Sequence, residues 1–95
     1  MALKKIQDEH YRLSILRALE ALGYKSNDSM IQDACELFHN VMSRDQVRTN
    51  LGWLDEQGLV SIEKVGDIMN ATLLSRGQDV AQGKSFVDGV KRPSA

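Results

Sequence analysis

The chain has 95 residues, 42% hydrophobic and 26% charged, which fits a single ordinary soluble domain only just large enough for its own core. Twelve Lys and Arg against thirteen Asp and Glu give a net charge of −1, which excludes a uniformly basic nucleic-acid coat but not a local basic face. Scarce aromatics, a lone Cys35 and the lack of any long apolar run exclude a stacking platform for single strands, an internal disulfide, a zinc site and a membrane span. A reduced, cytoplasmic setting is expected.

Leu3 to Leu22 reads as a long helix stopped by Gly23. At 100° per residue, Tyr11, Ile15, Leu16, Ala18, Leu19 and Leu22 share one broad face. Leu3, Ile6 and Leu13 cluster on nearly the opposite side, beside His10 and Arg17. One apolar stripe is enough for a surface helix, so this second cluster wants a partner, either the C-terminal tail or a second subunit.

Ser26-Asn27-Asp28-Ser29 is rich in N-cap residues and precedes Met30, Ile31, Ala34, Cys35, Leu37 and Phe38 at helical spacing. This second helix is expected to end near His39-Asn40. Ser43 and Gln46 form a capping-box pattern ahead of a third helix, in which Val47, Leu51 and Leu54 repeat at four and three residues and Gly58 closes the element. Leu59 to Val65 then reads as a strand, Gly66-Asp67 as a tight turn, and Ile68 to Leu74 as the return strand. Ser75 with Gln78 repeats the capping-box pattern and opens a short fourth helix reaching Gly83. Phe86, Val87 and Val90 make a last apolar patch, and Lys91-Arg92-Pro93-Ser94-Ala95 reads as a frayed end. The expected fold is mainly α with a small β-hairpin: a domain over residues 1–83 and a tail over 84–95 that packs back or joins a dimer.

Helix, turn, helix and two-stranded hairpin resembles the winged helix-turn-helix arrangement. "VRTNLGWLDEQGLVSI" resembles the V-x-x-x-L-x-x-L-x-x-x-G-L-V pattern of winged-helix bacterial regulators. "TLLSRGQDVAQG" is similar to the stretch that opens the helix after the wing, and "RLSILRALEALGY" to the opening helix of the same group. The whole resembles small regulators of the ArsR and MarR type. Its size and the ending "AQGKSFVDGVKRP" also resemble the short winged-helix proteins of Mu-like prophages. ArsR metal sensors carry a Cys-x-Cys motif, whereas Cys35 is followed by Glu36 and Leu37, so no metal site is carried over.

The resemblance implies a homodimeric transcription regulator whose third helix enters the major groove of duplex DNA. On that helix's outward arc, Gln46, Arg48 and Thr49 have the chemistry to read base edges, and Ser43, Arg44 and Asn50 to hold phosphates. Lys64 is the wing's cation. Lys4, Lys5, Arg76, Lys84, Lys91 and Arg92 offer further backbone contacts. Leu3, Ile6, Leu13, Phe86 and Val87 would form the dimer interface.

Charge pulls the other way. Residues 28–57 hold two arginines against six acids, net −4, leaving the rest of the chain at +3. So sparse a basic footprint implies weak, salt-fragile DNA binding, and leaves open a protein-interaction module with an acidic helix-turn-helix face. Trp53 lies about 120° from the core stripe and reads either as packed on the hairpin or first helix, or as a partner anchor. Cys35 reads as a small core hydrophobe, and His39 as a residue bonded to its helix's last carbonyls. No nucleophile, carboxylate pair or phosphate loop accompanies either histidine, so no enzyme and no cofactor are expected.

Overall fold

The computed structural model describes residues 2–93 and orders them as α1 (Ala2–Ala21), β1 (Lys25–Asn27), α2 (Asp28–Leu37), α3 (Arg44–Glu56), β2 (Val60–Val65), β3 (Ile68–Leu73) and α4 (Ser75–Ala81). The fold is therefore mixed α/β, four helices with a three-stranded antiparallel sheet, rather than helices with a bare hairpin. The strand order is β1-β3-β2. β1 pairs with β3 through Lys25↔Thr72, Ser26↔Ala71 and Asn27↔Asn70, while β2 pairs from Val60↔Leu73 to Val65↔Ile68. Three polar residues are too short a run to show alternation, so β1 is invisible until β3 lies beside it.

Ile15, Leu16 and Leu19 of α1, Ile31 and Cys35 of α2, and Val47, Leu51 and Leu54 of α3 are fully buried in one core with Leu59 and Val60. Met69, Ala71 and Leu73 line the inward face of β3. α4 sits on the backbone of Leu59. A Cβ at Gly77 would lie 2.1 Å from the Leu59 carbonyl oxygen, so this approach requires glycine.

Helix ends follow local chemistry. Asn27 caps α2, its side chain accepting from the Met30 N–H. The Ser43–Gln46 capping box forms at α3. The Ser75–Gln78 pattern does not form at α4: the cap position falls on Leu74, Ser75 is already helical, and Gln78 donates instead to the Tyr24 hydroxyl at 3.2 Å. All four helices close with the Schellman pair of backbone bonds. At α2 the residue after the cap is His39 at φ +64°, where the other three helices use glycine. His39 thus bonds the helix end through its backbone N–H, to the Glu36 carbonyl, and α2 itself stops at Leu37 rather than near Asn40.

The C-terminal segment is seated, not frayed, as far as Pro93; Ser94 and Ala95 of the expected tail lie outside the described residues. Lys91 N–H donates to the Glu9 carbonyl, Arg12 Nη1 to the Gly89 carbonyl, and Val90 is buried. Leu13 is buried in the chain's own core, which removes it from the expected dimer face. Val87 is half-buried against the same core. Leu3, Ile6 and Phe86 remain exposed, with the Arg92 guanidinium stacked on the Phe86 ring.

Candidate nucleic-acid interface

α3 buries Val47, Leu51 and Leu54 and turns Asp45, Gln46, Thr49 and Glu56 outward, with Gly52 and Trp53 half-buried. The hairpin lies alongside. Arg48, Thr49, Gly52 and Trp53 of α3 share an open groove of about 550 Å³ with Ile62, Lys64 and Met69 of the sheet. Thr49 and Lys64, two of the residues expected to contact DNA, therefore converge on one surface.

Several of the other expected contacts are engaged within the chain. Ser43 and Gln46 hold each other in the capping box: Ser43 Oγ accepts from the Gln46 N–H, and Gln46 Oε1 from the Ser43 N–H. Arg44 donates from Nε to Gln32 Oε1 at 2.8 Å and from Nη2 to Ser29 Oγ, bracing the start of α3 against α2. Gln32 in turn donates to the Met42 carbonyl. Both Ser43 and Arg44 stay exposed, so their remaining polar groups face solvent.

Arg48 is a clasp. Its Nη2 donates to the Asp67 carbonyl in the turn between β2 and β3, and its Nε lies 3.2 Å from Oδ2 of the buried Asp28, without the N–H aimed at that oxygen. The second Asp28 oxygen accepts from the Ser29 N–H. Asn50 is buried, donating to the Gln46 carbonyl and accepting from Arg12 Nε at 3.0 Å. A side chain enclosed in this way does not reach a phosphate, so Asn50 leaves the expected contact set. The residue that sequence reasoning missed is Arg12, whose guanidinium carbon sits 3.9 Å from the centre of the Trp53 ring. Nothing in the local pattern around Arg12 signals this.

The acidic excess of residues 28–57 does not all face one way. Asp28 is buried beneath Arg48, and Asp33 borders a separate apolar dimple formed by Leu22, Met30, Ala34 and Leu37. On α3 itself the acids stand at the two ends, Asp45 in the first turn and Asp55 with Glu56 in the last. Thr49 lies between them.

Cys35 is enclosed in the core, and burial pushes its thiol up to about 12, which leaves it neutral and unreactive. Among the described residues, no three His, Cys, Asp or Glu side chains are grouped to hold a metal ion, and no helix is long and apolar enough to cross a membrane.

The chain is 44% identical over 91 residues to the uncharacterized protein gp26 of Escherichia phage Mu, covering 96% of this chain and 95% of that protein. It is 45% identical over 67 residues to an uncharacterized protein of Haemophilus influenzae, covering 70% of this chain and 66% of the relative. The phage relative agrees with the resemblance to Mu-like prophage proteins. No protein-family model matches the chain, and no solved structure matches it.

Proposed function

We propose that this chain, which belongs to the family of the phage Mu protein gp26, is a small winged-helix protein that binds duplex DNA as a homodimer and regulates transcription. The observation that carries the reading is the shared groove: Thr49 and Arg48 of α3 and Lys64 of β2 line one surface between helix and hairpin. In this reading the exposed N-terminal half of α3 enters the major groove, with Thr49 and the free amide of Gln46 at base edges. Ser43, Arg44 and Lys64 contact phosphates. Arg48 holds the wing at its angle to α3. Two copies double a footprint that one copy makes too small.

Fluorescence anisotropy with a labelled random duplex at low salt tests the reading. Lys64→Ala is expected to weaken binding severalfold on every sequence, and Thr49→Ala to weaken it on a selected site with little effect on random DNA. Failure of the unsubstituted chain to bind at low salt would sink the proposal.

A second reading has one observation in its favour. The same groove has Trp53, Ile62 and Met69 among its lining, with Asp55 and Glu56 at the α3 end. Apolar lining beside two carboxylates suits a basic protein segment better than a phosphate. On that reading the chain is a protein-interaction module.

A further inference from the structure

Thr49 stands between two grooves. On one side α3 faces the β2–β3 hairpin and Lys64; on the other it faces the N-terminal half of α1 across a second open groove, of about 450 Å³. Lys4, Gln7 and Asp8 of α1 and Asp45, Gln46 and Thr49 of α3 border this second groove. The hydrogen bond from Arg12 to Asn50 ties the two helices together beside it, so its walls are held at one separation. Lys4 Nζ lies 2.8 Å from Asp8 Oδ2, the lysine side chain 75% exposed and the carboxylate 23%. The pair runs from cation to acid along the helix, the less favourable order for residues four apart, and it uses one of the three ammonium donors.

We propose that a DNA backbone lies in this second groove, with Lys4 on its phosphates and Asp8 holding the lysine's charge in check. The inference deepens the DNA-binding reading and rests on it. An α-helix is roughly 10–12 Å across and the major groove about 12 Å wide, so a helix seated there meets a phosphate backbone on each side. With Thr49 at the centre of the contact, Lys64 meets one backbone and Lys4 the other. The charges bordering the α1 groove cancel, Lys4 and Arg12 against Asp8 and Asp45. Lys4 therefore offers a hydrogen-bond donor on this flank without a net charge, and the salt dependence of the unsubstituted chain is set by the other cations.

Fluorescence anisotropy of the full chain on duplex DNA at several salt concentrations tests this, with circular dichroism to confirm that the exposed substitutions leave the fold intact. Lys4→Ala leaves Asp8 uncompensated beside phosphate and is expected to weaken binding severalfold. Asp8→Asn frees the Lys4 charge, and should tighten binding severalfold and steepen the log–log salt slope by about one per protomer. Adding Lys4→Ala to Asp8→Asn should abolish the steepening, because no lysine remains to make the contact. Asp33→Asn makes the same change of charge beside Leu22, roughly 25 Å along α1 from Lys4, and should leave the slope as it was. An Asp8→Asn protein that keeps the original slope, or that matches Asp33→Asn, overturns the inference while leaving DNA binding standing. No binding by the unsubstituted chain at low salt overturns both.

Discussion

The guanidinium of Arg12 stacks on the indole of Trp53, with Arg12 Cζ 3.9 Å from the ring centre. The same guanidinium donates to the Asn50 side chain and the Gly89 carbonyl, so one α1 residue joins α3 to the C-terminal segment. Gly89 takes φ +99°, and a Cβ there would lie 2.6 Å from the Trp53 ring. Trp53 is thus held within its own chain on this side, and only its groove side is open to a partner.

Removing this node should loosen the tail before the core. Arg12→Ala is expected to cost about 2 kcal/mol, from the lost stacking and two charge-assisted hydrogen bonds. Because Trp53 is the only tryptophan, its emission reports the change directly: a red shift in the folded state for Arg12→Ala and for Gly89→Ala. Unchanged emission in both would contradict the packing.

Arg48 and Asp28 should prove unequal under substitution. Arg48→Ala leaves a buried carboxylate with only the Ser29 N–H for company, whereas Asp28→Asn keeps that acceptor and frees an arginine already one-third exposed. Urea denaturation is expected to show a loss of about 2–3 kcal/mol for the first and about 1 kcal/mol for the second. The reverse order would remove Arg48 from its role as clasp. Loss of DNA binding in Arg48→Ala alone therefore tests stability as much as contact, and for this reason Thr49 and Lys64 are the better probes.

Much of α3 is legible before folding. Ser43 and Gln46 mark its start, and Val47, Leu51 and Leu54 mark its inner face, because capping and periodicity are local physics. What happens to Arg44, Arg48 and Asn50 is not legible, since each finds its partner on another element: Gln32 and Ser29, Asp28 and Asp67, Arg12. The same limit explains the cap that does not form at α4 and the strand β1 that the sequence does not announce. Ser75 and Gln78 repeat the Ser43–Gln46 pattern, yet the Leu74 N–H is fixed to the Leu59 carbonyl across the fold and the helix begins without a side-chain cap. β1 needs β3, more than forty residues further along the chain, to be a strand at all.

His39 offers a stability gain. A left-handed residue after the α2 cap suits glycine, and the ring makes no hydrogen bond that its removal would break among the described residues. His39→Gly is expected to raise stability by about 0.5–1 kcal/mol in thermal or urea unfolding. A loss of that size instead would mean that the imidazole carries a role beyond the backbone turn.

Cys35 gives a pH dependence with a definite sign. Its folded-state thiol is raised to about 12 by burial, while the unfolded thiol ionises at roughly 8.5. The stability it contributes is complete below the unfolded value and falls as pH rises through the interval, by about 1.4 kcal/mol per pH unit once the unfolded thiol is ionised. Cys35→Ala should flatten this alkaline decline. Thiol alkylation of the native chain at pH 8 should also be slower than in denaturant by roughly a thousandfold. Equal rates in both states would contradict the burial.

The salt dependence of duplex binding by the unsubstituted protein is the sharpest test of DNA recognition. About two cationic phosphate contacts per protomer, from Arg44 and Lys64, give a dimer a log–log slope of roughly −3 to −4. Binding at low salt with such a slope, lowered by about two in a Lys64→Ala dimer, is the predicted result. No binding at low salt, or binding that ignores ionic strength, would contradict a DNA-binding role for the surface shared by α3 and the β2–β3 hairpin.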